Sequence, residues 1–214
     1  YAKHMLFFKL GDNCSTRGFI AGNRVGKTDG GGGYEVTCHL TGRYPDWWEG
    51  ARFDAPVRVW VAGDTGKTVR DILQLKLLGP WNEFGTGLIP ATDIGKHTPK
   101  IGIGEAIDMI AVKHYDQDGN FDGWSRMAFK SYDQRREAFQ GTEQDIIWLD
   151  EEADESIRGE CVMRLMTTDG LLIETFTPLR GLTPVVMQYL KEGVITDEVA
   201  ADGCAVMEDK ALIM

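Results

Sequence analysis

The stretch Gly18, Phe19, Ile20, Ala21, Gly22, Asn23, Arg24, Val25, Gly26, Lys27, Thr28 holds the chain's most specific chemistry. A short apolar strand (Phe19, Ile20, Ala21) runs into a glycine-punctuated turn that ends in Gly-Lys-Thr. Glycines let successive backbone N–H groups converge on phosphate oxygens, and a following helix adds its positive N-terminal end. In such a loop the lysine reaches the β- and γ-phosphates of a nucleoside triphosphate, and the Thr hydroxyl ligates Mg²⁺. Ala21 stands where the strict G-x-x-x-x-G-K-[ST] pattern has glycine, and Gly22 supplies the freedom one residue on.

A second stretch, Asp145, Ile146, Ile147, Trp148, Leu149, Asp150, Glu151, Glu152, reads as an apolar strand ending in consecutive carboxylates. In P-loop NTPases the terminal Asp of such a strand holds the metal's water shell. A Glu after it can take a proton from the attacking water. The strand is expected beside the one that feeds the loop. Either stretch alone is also a common structural pattern; both together, in this order, point to a nucleotide-hydrolysing site.

Positioning these residues requires strands alternating with helices. A short helix is expected within 1–10, then a polar turn from Gly11 to Arg17. After Thr28 the run Gly30 to Gly33 contradicts a helix start, at roughly 1 kcal/mol per glycine relative to alanine. Either packing overrides that cost or the helix begins near Tyr34; helix is expected over Glu35 to Leu40 in both cases. The loop from Thr41 to Trp48 carries paired tryptophans, better suited to capping the core than to stacking on bases.

A buried parallel strand is expected from Val57 to Ala62. The helix after it has its apolar face at Val69, Ile72, Leu73 and Leu77 and ends at Gly79-Pro80. No element is assigned between Trp81 and Gly104. Ala106 to His114 and Trp124 to Tyr132 read as a β-hairpin around the turn Asp116 to Asn120. That turn resembles the start of a calcium loop but lacks the remaining ligands. Helices are expected over Glu152 to Met166 and Thr183 to Leu190, with a strand from Leu171 to Thr175 between them. The fold class is therefore α/β, a mostly parallel sheet with helices on both faces and a hairpin insertion. Ligand then sits at the strands' carboxyl ends, where Lys27, Asp150 and Thr177 fall.

With 214 residues the chain suffices for one sizeable domain. No apolar run approaches the ~18 residues of a membrane helix, so no membrane partner is expected. Cys14, Cys38, Cys161 and Cys204 lack zinc-ligand spacing and suit free thiols in a reducing cytoplasm. The net charge of −10 repels the DNA backbone unless basic residues are segregated. Opening at Tyr1 without Met, the chain reads as a fragment.

The stretch Ala21 to Thr28 resembles the phosphate loop of the large terminase subunit of tailed bacteriophages, where an arginine within the loop is usual. So do His39 to Trp48, Val59 to Asp64, Phe129 to Gln134, Phe139 to Thr142 and Trp148 to Glu152. Thr175, Phe176, Thr177, Pro178 and Leu179 are similar to that family's coupling motif. The resemblance implies a P-loop ATPase motor that pumps double-stranded DNA into a procapsid, working in the cytoplasm of an infected bacterial host. It implies ATP as substrate and Mg²⁺ as cofactor. The partners would be DNA (bound weakly by the domain alone), a portal protein, a small terminase subunit and further copies in a ring.

The implied roles are these. Ala21 to Thr28 bind nucleotide, with Lys27 on the β- and γ-phosphates. Thr28 and Asp150 serve the metal, and Arg24 contacts the γ-phosphate in cis. Glu151 is the base, with Glu152 as runner-up because one residue of register decides which carboxylate faces the phosphate. Thr175 and Thr177 sense the γ-phosphate. Arg135 or Arg136 could act on a neighbouring subunit. The ATPase domain is placed at 1–190, with 191–214 a peripheral segment or the start of a linker. Nuclease activity is not expected. A helicase fragment of the DEAD-like superfamily is the enzymatic rival, since Asp150, Glu151, Glu152, Ala153 and Thr175, Phe176, Thr177 mimic two of its motifs. A nucleotide-gated module without turnover is the rival from another class, and the glycine run speaks for it.

Overall fold

The computed structural model describes all residues from 1 to 214. In chain order the elements are α1 (Ala2–Leu10), β1 (Thr16–Ile20) and a widely wound turn Lys27–Gly33 that continues as α2 (Tyr34–Thr41). β2 (Arg58–Gly63) follows, then α3 (Gly66–Thr68), which passes through a second wide turn, Val69–Gln74, into α4 (Leu75–Leu78). Next come β3 (Ile94–Pro99), β4 (Ile107–Tyr115), β5 (Phe121–Ser131), β6 (Ile146–Asp150), α5 (Glu155–Leu165) and β7 (Leu171–Phe176). The chain closes with α6 (Pro184–Met187), α7 (Asp197–Asp202), β8 (Cys204–Met207) and β9 (Lys210–Ile213).

All nine strands form one sheet in the order β3-β4-β5-β2-β6-β7-β1-β9-β8. Every pairing from β5 through β9 is parallel, and only the edges are antiparallel. The central strands are apolar at successive residues because both faces are covered. Val59, Val61, Ile146, Trp148 and Ile173 enter the larger core with α2 and α4. Their neighbours Trp60, Ala62, Ile147, Leu149 and Leu172 enter a second core with α5.

Several expectations are corrected. The acidic strand β6 does not lie beside β1: β7 stands between them, so the residues ending β7 are placed between the loop and the carboxylates. The strand feeding the loop begins at Thr16, within the expected polar turn. It can include fully buried Arg17 because Glu35 meets that guanidinium at 2.5 and 3.1 Å and the Phe7 carbonyl accepts from it at 2.8 Å. Ile72 is 42% exposed, while Val69, Leu73 and Leu77, spaced four apart on a widened turn, face the core. Residues 191–214, read above as peripheral, supply β8 and β9. β9 pairs in parallel with β1 and buries Ala211, Leu212 and Ile213. Between Trp81 and Gly104, where no element was assigned, lies β3.

The glycine run is helical. Gly30 and Gly31 both donate to the Gly26 carbonyl, at 2.7 and 3.2 Å, and the widened turn passes directly into α2. A Cβ at Gly30 would stand 3.0 Å from His4, one at Gly31 3.1 Å from Phe19, and one at Gly32 would overlap the Trp148 indole. Close packing on three sides thus overrides the propensity cost. The paired tryptophans divide: Trp48 is buried and stacks on Phe8 at 4.9 Å, while Trp47 stays 43% exposed beside Tyr34.

Candidate active site

Ala21 gives its N–H to the Phe176 carbonyl (3.2 Å), the last sheet-like bond before the loop departs. The amides of Gly22, Asn23, Arg24 and Val25 donate to no backbone carbonyl. Arg24 (φ 64°) and Gly26 (φ 84°) are left-handed on either side of Val25. Alternating handedness of this kind turns successive N–H groups inward and makes an anion-binding concavity. His4 on α1 supports the loop from behind, with its Nε2 3.1 Å from the Gly26 carbonyl oxygen.

The Lys27 ammonium enters this concavity from the first turn of the helix. It is 5% exposed, and it donates to a hydroxyl, Thr177 Oγ1 at 2.9 Å, not to a carboxylate. Thr177 Oγ1 in turn donates to Asn23 Oδ1 at 2.9 Å, tying the end of β7 to the loop. A buried cation with no carboxylate in direct contact is costly, so this geometry favours an anion.

One residue along, Thr28 Oγ1 donates to Asp150 Oδ1 at 3.0 Å. Thr175 Oγ1 donates to the same oxygen at 2.6 Å and accepts from the Trp148 indole Nε1 at 2.7 Å. Burial pushes the Asp150 carboxyl up to about 6, and Glu151 nearby adds to the rise. The Thr175 and Thr28 hydrogen bonds and the Lys27 charge oppose it. A buried carboxylate beside a Thr hydroxyl is a hard-oxygen donor pair, which fits Mg²⁺.

Of the other residues singled out in the sequence, Glu151 is exposed at the end of β6 with φ 66°, and Glu152 is half-buried. Arg24 is exposed on the loop. Arg135 is exposed with φ 62°, whereas Arg136 Nε is paired with nearly buried Glu160 Oε2 at 3.0 Å. The structure therefore gathers these residues into two adjacent hydrogen-bonded sets, Lys27 with Thr177 and Asn23, and Thr28 with Asp150 and Thr175, joined through the Lys27–Thr28 backbone. Two residues given no role from the sequence contact the second set. Trp148 holds Thr175, and the Tyr132 hydroxyl reaches the backbone at Asp150 and Glu151. A tryptophan in the acidic strand opposite a glycine run was the available signal for the first.

The family model for the terminase large subunit, T4-like-virus type, N-terminal, matches residues 19–202. The terminase large subunit of Salmonella phage P22 is 38% identical over 206 residues, covering 89% of this chain and 41% of that protein. The chain thus spans less than half the length of that relative. Among solved structures, a large terminase ATPase domain variant of Thermus phage P74-26 superposes with a TM-score of 0.56 at 17% identity. That match covers 94% of this chain and 75% of the other, and it bears on the fold alone. The mostly parallel sheet with its phosphate loop on β1 is the P-loop ATPase fold, and the chain belongs to the terminase large-subunit family.

Proposed function

We propose that this chain is the ATP-hydrolysing motor domain of a viral terminase large subunit. In that role it drives double-stranded DNA into a procapsid in the cytoplasm of an infected bacterium. The observation that carries the reading is buried Lys27, held by a hydroxyl in a loop of undonated amides and facing the Asp150 cluster. Ala21 to Thr28 cradle the phosphates, and Lys27 neutralises charge on the β- and γ-groups. Thr28 and Asp150 would hold Mg²⁺, which would supply positive charge against that developing on the phosphate oxygens. Glu151 takes the proton of the attacking water, Glu152 being the alternative. Arg24 contacts the γ-phosphate in cis.

Thr177 and Thr175 register the γ-phosphate. A triphosphate that recruits Lys27 competes with its bond to Thr177, and any shift of Asp150 is felt by Thr175. Loss of phosphate reverses both, so β7 receives the signal from two ends of the site. Partners in this reading are duplex DNA, a portal protein, a small terminase subunit and further copies of the chain in a ring. A net charge of −10 makes DNA binding by the lone domain weak and salt-sensitive.

The test is ATP turnover and triphosphate binding by Lys27→Ala with the fold verified by thermal denaturation. Hydrolysis should vanish and binding weaken. Turnover within twofold of the parent would overturn the reading.

A further inference from the structure

Glu151 departs from β6 in a conformation that a non-glycine residue seldom adopts, φ 66°. Three bonds hold the backbone there. The Glu151 N–H donates to the Thr175 carbonyl at 2.9 Å, which keeps β6 and β7 in register to their ends. On the carbonyl side, the Tyr132 hydroxyl lies 3.1 Å from Asp150 O and 3.0 Å from Glu151 O, sharing its proton between them.

Tyr132 is itself firmly placed. It opens the turn after β5, where Ser131 N donates to Gln134 Oε1 at 3.1 Å and Asp133 N to the Asp64 carbonyl at 3.2 Å. Asp133 Oδ2 also accepts from Gly66 N at 3.3 Å, joining the turn to the start of α3. Its ring packs against the core beneath α5, tilted on Phe139 at 6.4 Å. The hydroxyl is thus a fixed point carried by β5 and anchored to the end of β2, two strands away from β6 and one strand away respectively.

We propose that Tyr132 is a positioning residue for Glu151. By holding the carbonyls of the two peptides on either side of the Glu151 Cα, its hydroxyl keeps residue 151 left-handed and so sets the direction in which that carboxylate leaves the strand. Without the hydroxyl, the backbone relaxes toward extended geometry and the carboxylate is misdirected, while the phosphate loop, which Tyr132 does not touch, still binds nucleotide. The inference rests on the reading of Glu151 as the base.

The experiment compares parent, Tyr132→Phe, Glu151→Gln and the double variant for kcat, KM for ATP and thermal stability. Phenylalanine keeps the ring and its packing and removes only the donor. Tyr132→Phe should lower kcat about tenfold, with KM within twofold and an unchanged cooperative melt. In the Glu151→Gln background the same change should cost nothing further, because it acts through the carboxylate already removed. Parent-like kcat in Tyr132→Phe, with Glu151→Gln inactive, overturns the positioning role alone. An equal loss in both backgrounds also overturns it, marking a general structural effect. If Glu151→Gln turns over like the parent, the assignment of the base has failed instead.

Discussion

The Trp148 indole occupies the space in which a side chain at residue 32 would have to stand: a Cβ built on Gly32 falls 2.7 Å from Trp148 Cζ2 and nearer still to Cε2 and Nε1. The same indole donates from Nε1 to Thr175, which bonds Asp150. One ring therefore presses on the helix after the phosphate loop and orients the hydroxyl that holds the buried carboxylate. Glycine at 32 is the condition for that ring to approach the helix so closely, at a cost in helix propensity that the packing offsets.

Gly32→Ala should therefore destabilise the domain by about 1–3 kcal/mol, the usual effect of overpacking, instead of gaining the benefit that alanine brings to an exposed helix. Trp148→Leu alone leaves a cavity and costs several kcal/mol, roughly 3–5. The double variant should lose clearly less than the sum, because the methyl enters space the indole has left. Chemical denaturation of the four proteins checks this, and strict additivity would show that the two residues do not share that space.

The phosphate loop, the acidic strand and the alternation of strands and helices were legible because each is a local pattern. Gly26-Lys27-Thr28 and Ile146 to Asp150 announce themselves within a few residues. What the sequence hid depends on contacts distant along the chain. Strand order is one case, since nothing near Asp150 tells that β7 intervenes before β1. Arg17 looked like turn material because its partner Glu35 lies in the next helix. The C-terminal residues looked peripheral because the pairing of β9 with β1 joins opposite ends of the chain. Gly30 to Gly33 read as a helix breaker for the same reason: Trp148 and Phe19, which explain it, are visible only in three dimensions.

The two carboxylates after Asp150 differ in setting: Glu151 is exposed and left-handed, Glu152 half-buried. Glu151→Gln should bind Mg-ATP nearly as well as the parent and hydrolyse it on the order of a hundredfold or more slowly. Glu152→Gln should stay within a few fold. Single-turnover hydrolysis and nucleotide binding measured on both variants decide it; the reverse pattern moves the base by one residue.

Asp150 supplies a pH signature. Its carboxyl stands at about 6 in the fold against 3.8 ordinarily, raised chiefly by burial. The protonated form is thus favoured in the folded state. The stability this gives is full below the unfolded value and is lost as pH rises through about 6. At pH 7.5, Asp150→Asn should be the more stable protein without nucleotide, by on the order of 2–3 kcal/mol. The advantage should shrink as pH falls from about 7 towards 4, while ATP turnover is lost at every pH. Melting curves across that range test the claim, and a constant gap between the two proteins would refute it.

Arg135 and Arg136 can be separated because only one of them is engaged within the chain. Arg136 Nε meets Glu160 Oε2 at 3.0 Å, and Glu160, 4% exposed, has Arg164 as its other partner at 2.9 Å. Removing the Arg136 side chain deprives a nearly buried carboxylate of one of two cations, so Arg136→Ala should lower stability by roughly 1–3 kcal/mol. Arg135 is exposed and forms no ion pair, so Arg135→Ala should melt like the parent. If Arg135 completes a neighbour's site, the isolated domain should hydrolyse ATP equally with and without it. The assembled motor should lose ~10³-fold or more of its rate, as when an arginine acts in trans. Doping the variant into parent assemblies on procapsids gives the sharper reading, since each altered subunit silences a neighbour's site and keeps its own. Packaging at the parent rate by a motor made wholly of Arg135→Ala subunits would remove that residue from the mechanism.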